Sequence, residues 1–400
     1  MTLLVLSYAD LDSRPIGTWL RGVGDLLLVT SRYARAASPE SETALFREIM
    51  TVDDYFSQDV LIAAHALARR HPLAGVIASN ESDLLRSAVL RERYRLPGQR
   101  VDEAMAFRDK LTMRRTAEAG GIAVPRFQDV RSLDDAMSFA ALHGFPVVMK
   151  PRRATGAQGI GVARTPAELR GAFAGASAFP GGLLVETRVD APIYHIDGVS
   201  DRGRVVHCWP SRYSAGALET VQRHAPRVSM LMGAADPLRP RLQEFAVAVI
   251  KAFPSSGPFS FHIEAWVDRG VPVLCEVTAR TGGRPIAEAY RAAFGLDLSR
   301  ESFLAQAGLP LTITEQPSAP LRYVGWIGFL TGDGLYTPPT RDRPPVLWFK
   351  DVREPGSCCR RATMMSDFAA YALVDGASAE EAEARGDDLI RWWDEGCPWR

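Results

Sequence analysis

Residues 259–285, FSFHIEAWVDRGVPVLCEVTARTGGRP, constrain the fold more than any other stretch. Apolar residues alternate with others through Phe261, Ile263, Ala265 and Val267. Asp268-Arg269-Gly270 then supplies turn chemistry, and the pattern resumes from Val271 to Val277, which predicts a β-hairpin. With the turn centred near Gly270, Glu264 and Glu276 are equidistant from it and fall opposite each other on one face. His262 and Trp266 share the Glu264 face, Thr278 shares the Glu276 face, and Arg280 follows as the strand runs out into Gly282-Gly283. Like charges placed opposite each other cost stability unless they are neutralised, which a hard divalent cation bound by carboxylate oxygens achieves. Two readings fit this stretch: a magnesium site, or an exposed hairpin whose glutamates face water.

The chain has 400 residues, 46% of them hydrophobic, which is enough for two to four domains with large cores. Basic and acidic residues balance at 47 each with no like-charge run, so neither a nucleic-acid footprint nor a membrane-surface patch is expected. Small-molecule chemistry becomes the default. No apolar run approaches the roughly 20 residues that span a bilayer. The opening MTLLVLSYADLD lacks a basic segment and turns acidic, so it reads as a first strand rather than a signal peptide. Five cysteines, odd in number and without C-x-x-C spacing, argue against a disulfide framework and fit a reducing cytoplasm. Of the 47 basic residues only four are lysines, at 110, 150, 251 and 350, so each retained lysine hints that a compact ammonium is wanted.

Read in order, residues 1–97 alternate short apolar runs with helical patterns and predict a parallel sheet covered by helices. A dinucleotide fingerprint is missing after the first strand. Pro97-Gly98 marks a boundary, and a helical pattern then runs from Val101 through Asp109 and Lys110 to about Ala119, ending at Gly120-Gly121. Strands near 125–130 and 145–150 flank a helix capped by Ser132. Lys150 ends the second strand, and Gly156, Gly159 and Gly161 follow in a loop whose exposed N–H groups suit either a phosphate cover or a mobile hairpin tip. Antiparallel strands dominate from 182 to 209, helical spacing returns over 238–253, and the last 80 residues mix strands with a helix near 378–393.

Taken together and in this order, these pieces resemble the ATP-grasp superfamily of carboxylate-amine ligases, most of all its amino-acid ligases, over roughly residues 100–290. The resemblance implies an α/β and α+β chain of four units: an N-terminal parallel-sheet domain (1–97), a linking helix and lid (98–185), a large antiparallel-sheet subdomain (186–318) and a small C-terminal unit (319–400). It implies ATP with magnesium, for which manganese can substitute. Lys110, Lys150, Gly156 and Gly159 are then placed at the phosphates, and Glu186, Thr187, Val189 and Trp266 around the adenine. Glu264 and Glu276 are implied as metal ligands, with Thr278 standing where the family has asparagine. Arg280 is implied as the catalytic cation, and His262, Gly283 and Arg284 as substrate contacts. The activity implied is attack of a carboxylate on the γ-phosphoryl of ATP, followed by displacement of phosphate by an amine, in a cytoplasmic homodimer that takes small molecules as its partners. A non-catalytic ATP-binding protein, or an enzyme acting on another carboxylate or on bicarbonate, is the alternative.

Overall fold

A computed structural model describes every residue except Ser79, Arg284, Thr314, Met365, Ser366, Cys397, Pro398 and Arg400. Four strands, β1 (Thr2–Leu6), β2 (Asp25–Ser31), β3 (Glu48–Val52) and β4 (Gly75–Ala78), form a parallel sheet in the order β3-β2-β1-β4. Leu3, Leu4, Val5 and Leu6 of β1 are all buried, as expected of a parallel strand covered on both faces. Beyond the carboxyl end of β4, Glu81 reaches across to Thr278 and Arg280 of the rest of the molecule.

A second, antiparallel sheet has the order β5-β8-β6-β7, from Phe127–Val130 (β5), Val147–Pro151 (β6), Gly161–Ala163 (β7) and Leu183–Thr187 (β8). The third sheet has eight strands: Ile193–Asp201 (β9), Arg204–Tyr213 (β10), Arg227–Leu231 (β11), Phe259–Asp268 (β12), Val271–Thr278 (β13), Tyr323–Leu330 (β14), Trp348–Asp351 and Phe368–Gly376. Its last three strands come from the C-terminal 80 residues, which extend the central sheet and add one small antiparallel pair, Gly334–Leu335 with Cys358–Cys359. Helix Leu238–Ala252 packs mainly on β10, and also on β9 and β13, burying Leu242, Ala246, Val249 and Ile250 in a core shared with Phe107, Met113 and Ala117 from the preceding helices. This burial of a helical stripe fixes the edge hairpin against the body of the protein. Among the described residues no helix is long and apolar enough to cross a membrane.

Two local features depart from the simple sequence pattern. The helix expected from Val101 to Ala119 is two helices, Val101–Arg108 and Lys110–Ala119. Asp109 takes an extended conformation between them because its carboxylate caps the second helix, accepting from the Thr112 N–H at 3.1 Å. The hairpin turn is centred between Arg269 and Gly270, both at positive φ (48° and 81°), the geometry that two-residue hairpins favour. From that turn Ala265 pairs with Leu274, yet Glu264 pairs with Glu276: Cys275 is an extra residue, a β-bulge, and it brings the two glutamates into register.

Candidate active site

The alternation of β12 buries Phe261, Ile263 and Ala265 and turns His262, Glu264 and Trp266 to the opposite, half-buried face. The neighbouring strand β9 completes that face, since His195 lies opposite Glu264 and Asp197 opposite His262. One Asp197 oxygen meets His195 Nδ1 at 2.5 Å and the other meets His262 Nδ1 at 2.9 Å. His195 Nε2 is 2.6 Å from Ser229 Oγ, and His262 Nε2 is 3.6 Å from Glu264 Oε1. A buried polar chain therefore runs from Ser229 to Glu264 across four strands.

Charge settles the protonation of this chain. Burial opposes a charged His262, but Asp197 and Glu264 outweigh it and raise the imidazole to about 9. Burial likewise pushes Glu264 up, and His262 and Arg227 together bring it down to about 2. Asp197 is also held below the usual carboxylate range, its burial outweighed by the two histidines. Glu264 is thus an ionised carboxylate next to Glu276, whose Oε1 is 3.5 Å from Lys110 Nζ. Two carboxylates paired across strands and both partly open, at 18% and 37% side-chain exposure, suit a hard divalent cation. The donor set is oxygen only, which fits magnesium better than a softer metal.

A second cluster lies where the four-stranded antiparallel sheet meets the eight-stranded one. Glu186, at the end of β8 and 1% exposed, receives Lys150 Nζ at 2.6 Å on one oxygen and Arg114 Nε at 2.7 Å on the other. Burial would raise this carboxyl, but Arg114 and Lys150 hold it at about 2. Arg114 also donates from Nη2 to the Cys275 carbonyl at 2.8 Å, the carbonyl of the bulged residue. Lys150 Nζ lies 5.7 Å from the Trp266 ring centre. Lys110 donates to the Ala154 carbonyl at 2.7 Å, tying the start of the glycine loop to the metal-type carboxylates. In that loop Gly156 and Gly159 take positive φ (61° and 67°), so backbone N–H groups can turn toward a bound group. Thr187 pairs its backbone with Arg126, and Val189 follows in the irregular segment after β8, half-buried.

The third cluster centres on Glu81, which sequence reasoning missed. Its Oε2 accepts from Arg280 Nε at 2.6 Å and from the Thr278 hydroxyl at 3.0 Å, and its Oε1 is 3.5 Å from Arg108. The Thr278 hydroxyl is therefore engaged with Glu81. Burial acts against the Glu81 charge, and Arg280 and Arg108 hold the carboxyl below its ordinary value regardless. Gly283 is exposed at the start of the loop after Arg280, and Arg284 lies outside the described residues. Lys110, Glu264, Glu276, His262, Thr278 and Arg280 thus gather along one face of the hairpin, with Lys150, Glu186 and Trp266 adjoining. Asp197 and Arg114 were also missed, and His195 reads from the sequence as a structural histidine, although His195 and Asp197 alternate on a strand and Arg114 sits one helical turn after Lys110.

Residues 109–193 match the family described as carbamoyl-phosphate synthase L chain, ATP binding domain. The chain is 20% identical over 273 residues to an L-arginine-specific L-amino acid ligase of Bacillus subtilis, covering 65% of this chain and 63% of the ligase. It is 29% identical over 149 residues to a carbamoyl phosphate synthase large chain of Thermotoga neapolitana, covering 36% of this chain and 13% of that protein. An L-amino acid ligase from Bacillus licheniformis has a similar fold, with a TM-score of 0.74 at 18% identity, and the match covers 99% of this chain and 97% of that one. The chain spans less than two thirds of the length of these curated relatives, 63% at most.

Proposed function

We propose that this chain is an ATP-grasp, ADP-forming ligase that joins an amino acid's carboxylate to an amine; its match to an ATP-binding family over residues 109–193 and its fold support the reading. The observation that carries this reading is the Glu264–Glu276 pair, held in register by the Cys275 bulge with Lys110 3.5 Å from Glu276 and Arg280 at the strand exit. Magnesium held by Glu264 and Glu276 would supply charge neutralisation at the phosphates.

Every other role falls to the chain's own groups. Lys110, anchored to the lid loop through the Ala154 carbonyl, and Lys150, anchored to Glu186, present ammonium groups to the nucleotide phosphates. Trp266 offers a ring face for the adenine. Arg280, a planar donor fixed at Nε by Glu81, keeps donors for the oxygens that gain charge as phosphoryl and then acyl transfer proceed. The glycine loop closes over the site and keeps water from the acyl phosphate. His262, held charged by Asp197, faces the substrate side of Glu264 and favours an anionic group such as the reacting carboxylate.

The test is release of ADP and phosphate from magnesium-ATP with pooled amino acids and small carboxylates, followed by mass analysis of any product. A condensed product lighter by one water than its two parents is expected, and Glu276→Ala should abolish ADP release while keeping much of the nucleotide affinity. Unchanged turnover in Glu276→Ala would refute the metal assignment. The engagement of Arg280 and Thr278 by Glu81 favours a second reading, a nucleotide-binding protein without turnover; tight ATP binding with no ADP release from any carboxylate, bicarbonate included, would support it.

A further inference from the structure

A cavity of about 400 Å³ lies between the N-terminal sheet and the central body; it shares no lining residue with the candidate active site, although Ala279, between Thr278 and Arg280, forms part of its wall. It takes in Met1 and Gly75 at the amino ends of β1 and β4, whereas Glu81 leaves the carboxyl end of β4. Its polar wall is Ser87 and Arg91 of helix Asp83–Tyr94, with Gln99 and Gln306. The remaining wall is mostly small or apolar.

Arg91 is the anomaly. It is 4% exposed, and its Nη2 donates to the Val76 carbonyl at 2.8 Å and to Gln306 Oε1 at 3.0 Å. Its Nε has no partner, and among the described residues no carboxylate forms an ion pair with it. Burial accordingly brings its guanidinium down to about 10, against a small opposing pull from Glu103. Gln99, 9% exposed, also has a buried Nε2 with no partner. Gly98, at φ +107°, brings the chain over this cation, where a Cβ would lie 2.8 Å from Nε. The loop is shaped around the guanidinium rather than filling its place.

A buried cation without a counter-charge destabilises the fold, and each unfilled donor beside it adds to that cost. Both costs are relieved by an acceptor that carries one negative charge. The volume falls within the roughly 300–1,000 Å³ of small-molecule sites. No aspartate or glutamate lines the cavity, so a bound ammonium would be left unpaired, which disfavours a zwitterionic amino acid. A single guanidinium in a mainly apolar wall likewise suits a monoanion better than a phosphate dianion. We propose that this cavity binds a small monocarboxylate with an apolar body and no ammonium group, at a site separate from the one described above.

Calorimetric titration of the intact protein with 4-methylpentanoate tests this, with L-leucine, which adds only the ammonium, as competitor. One-site binding that leucine does not displace is expected. Arg91→Met removes the bonds to Val76 and Gln306 as well as the charge and can unfold the first domain, so two gentler variants carry the test. Gln99→Leu removes one donor and should weaken binding at least threefold. Ala74→Leu narrows the cavity and should weaken it at least tenfold, with the melting temperature of each variant confirming the fold. The proposal is overturned by no binding at millimolar 4-methylpentanoate, by equal binding in wild type and both folded variants, or by displacement with leucine.

Discussion

Arg114→Met removes one of the two cations that hold Glu186. In the native protein Arg114 Nε and Lys150 Nζ sit 2.7 and 2.6 Å from its oxygens, and the side chains of Arg114 and Glu186 are 0% and 1% exposed. The carboxyl is held at about 2 against an ordinary 4.5, a difference worth on the order of 3 kcal/mol of stability at neutral pH. Because the folded value is the lower one, this stability is present above pH 4.5 and is lost as the pH falls through about 2. Without Arg114 the buried carboxylate keeps one cation and its folded value rises, so the variant has little left to lose in acid. Breaking a buried pair costs about 3–5 kcal/mol, part of it here from the Cys275 carbonyl, which loses its donor. Urea denaturation of wild type and variant, from pH 7 to pH 3 at constant ionic strength, should show a gap of that size at pH 7 that shrinks by about 2 kcal/mol at pH 3. Every other carboxylate titrates alike in both proteins, so the change in the gap isolates Glu186. Adding Glu186→Gln to Arg114→Met should not recover stability at pH 7, because it leaves the buried Lys150 ammonium facing a neutral amide in place of its carboxylate. A gap below about 1 kcal/mol at pH 7, or one that does not change with pH, would refute the reasoning.

The remaining predictions concern the polar chain behind Glu264. His262 is raised to about 9, so its contribution to stability is complete below its ordinary 6.5 and is lost as the pH rises through 9. In Asp197→Asn the His262 titration midpoint, read from its imidazole proton resonances, should fall by more than one unit and the alkaline loss of stability should diminish; an unmoved midpoint would show that Asp197 does not set it. Gly282→Ala would place a Cβ 2.7 Å from Asp197 Oδ1 and 3.0 Å from His262 Nδ1. It should cost about 1–3 kcal/mol by overpacking and shift the same His262 midpoint, whereas an unchanged resonance and melting temperature would show that the loop relaxes freely.

The hairpin was legible because three independent signals agree along it: alternation, turn chemistry and a polar face too charged for core. The bulge at Cys275 was not, since one extra residue leaves composition and local propensity unchanged, and only the register with β12 reveals it. The break at Asp109 was hidden for a related reason: helical spacing continues across it, and the capping carboxylate announces itself only through the extended backbone it imposes. Asp197 and His195 left a trace, an H-x-D alternation that a strand places on one face, but the trace acquires meaning only when β9 is known to lie beside β12. Glu81 left none. Its hydrogen-bond partners Thr278 and Arg280 are almost 200 residues away, and their meeting depends on how the first sheet docks on the third.

The same distances explain why the clusters behave as a unit. The bulge that aligns Glu264 with Glu276 frees a carbonyl, and Arg114 captures it. Arg114 can do so only while its other edge is held by Glu186, and Glu186 in turn fixes Lys150 beside Trp266. Lys110, at the start of the same helix as Arg114, reaches Glu276 on one side and the glycine loop on the other. One short helix therefore connects the glycine loop, the carboxylate at the end of β8 and the register of the Glu264–Glu276 pair. Substitutions at Arg114 and Glu276 should for that reason be non-additive in nucleotide affinity, with a coupling of about 0.5–3 kcal/mol, although their side chains are joined only through the Cys275 backbone. Strict additivity would mean that the bulge holds its register without Arg114, and the Glu186 cluster and the carboxylate pair would then be separate sites that merely adjoin.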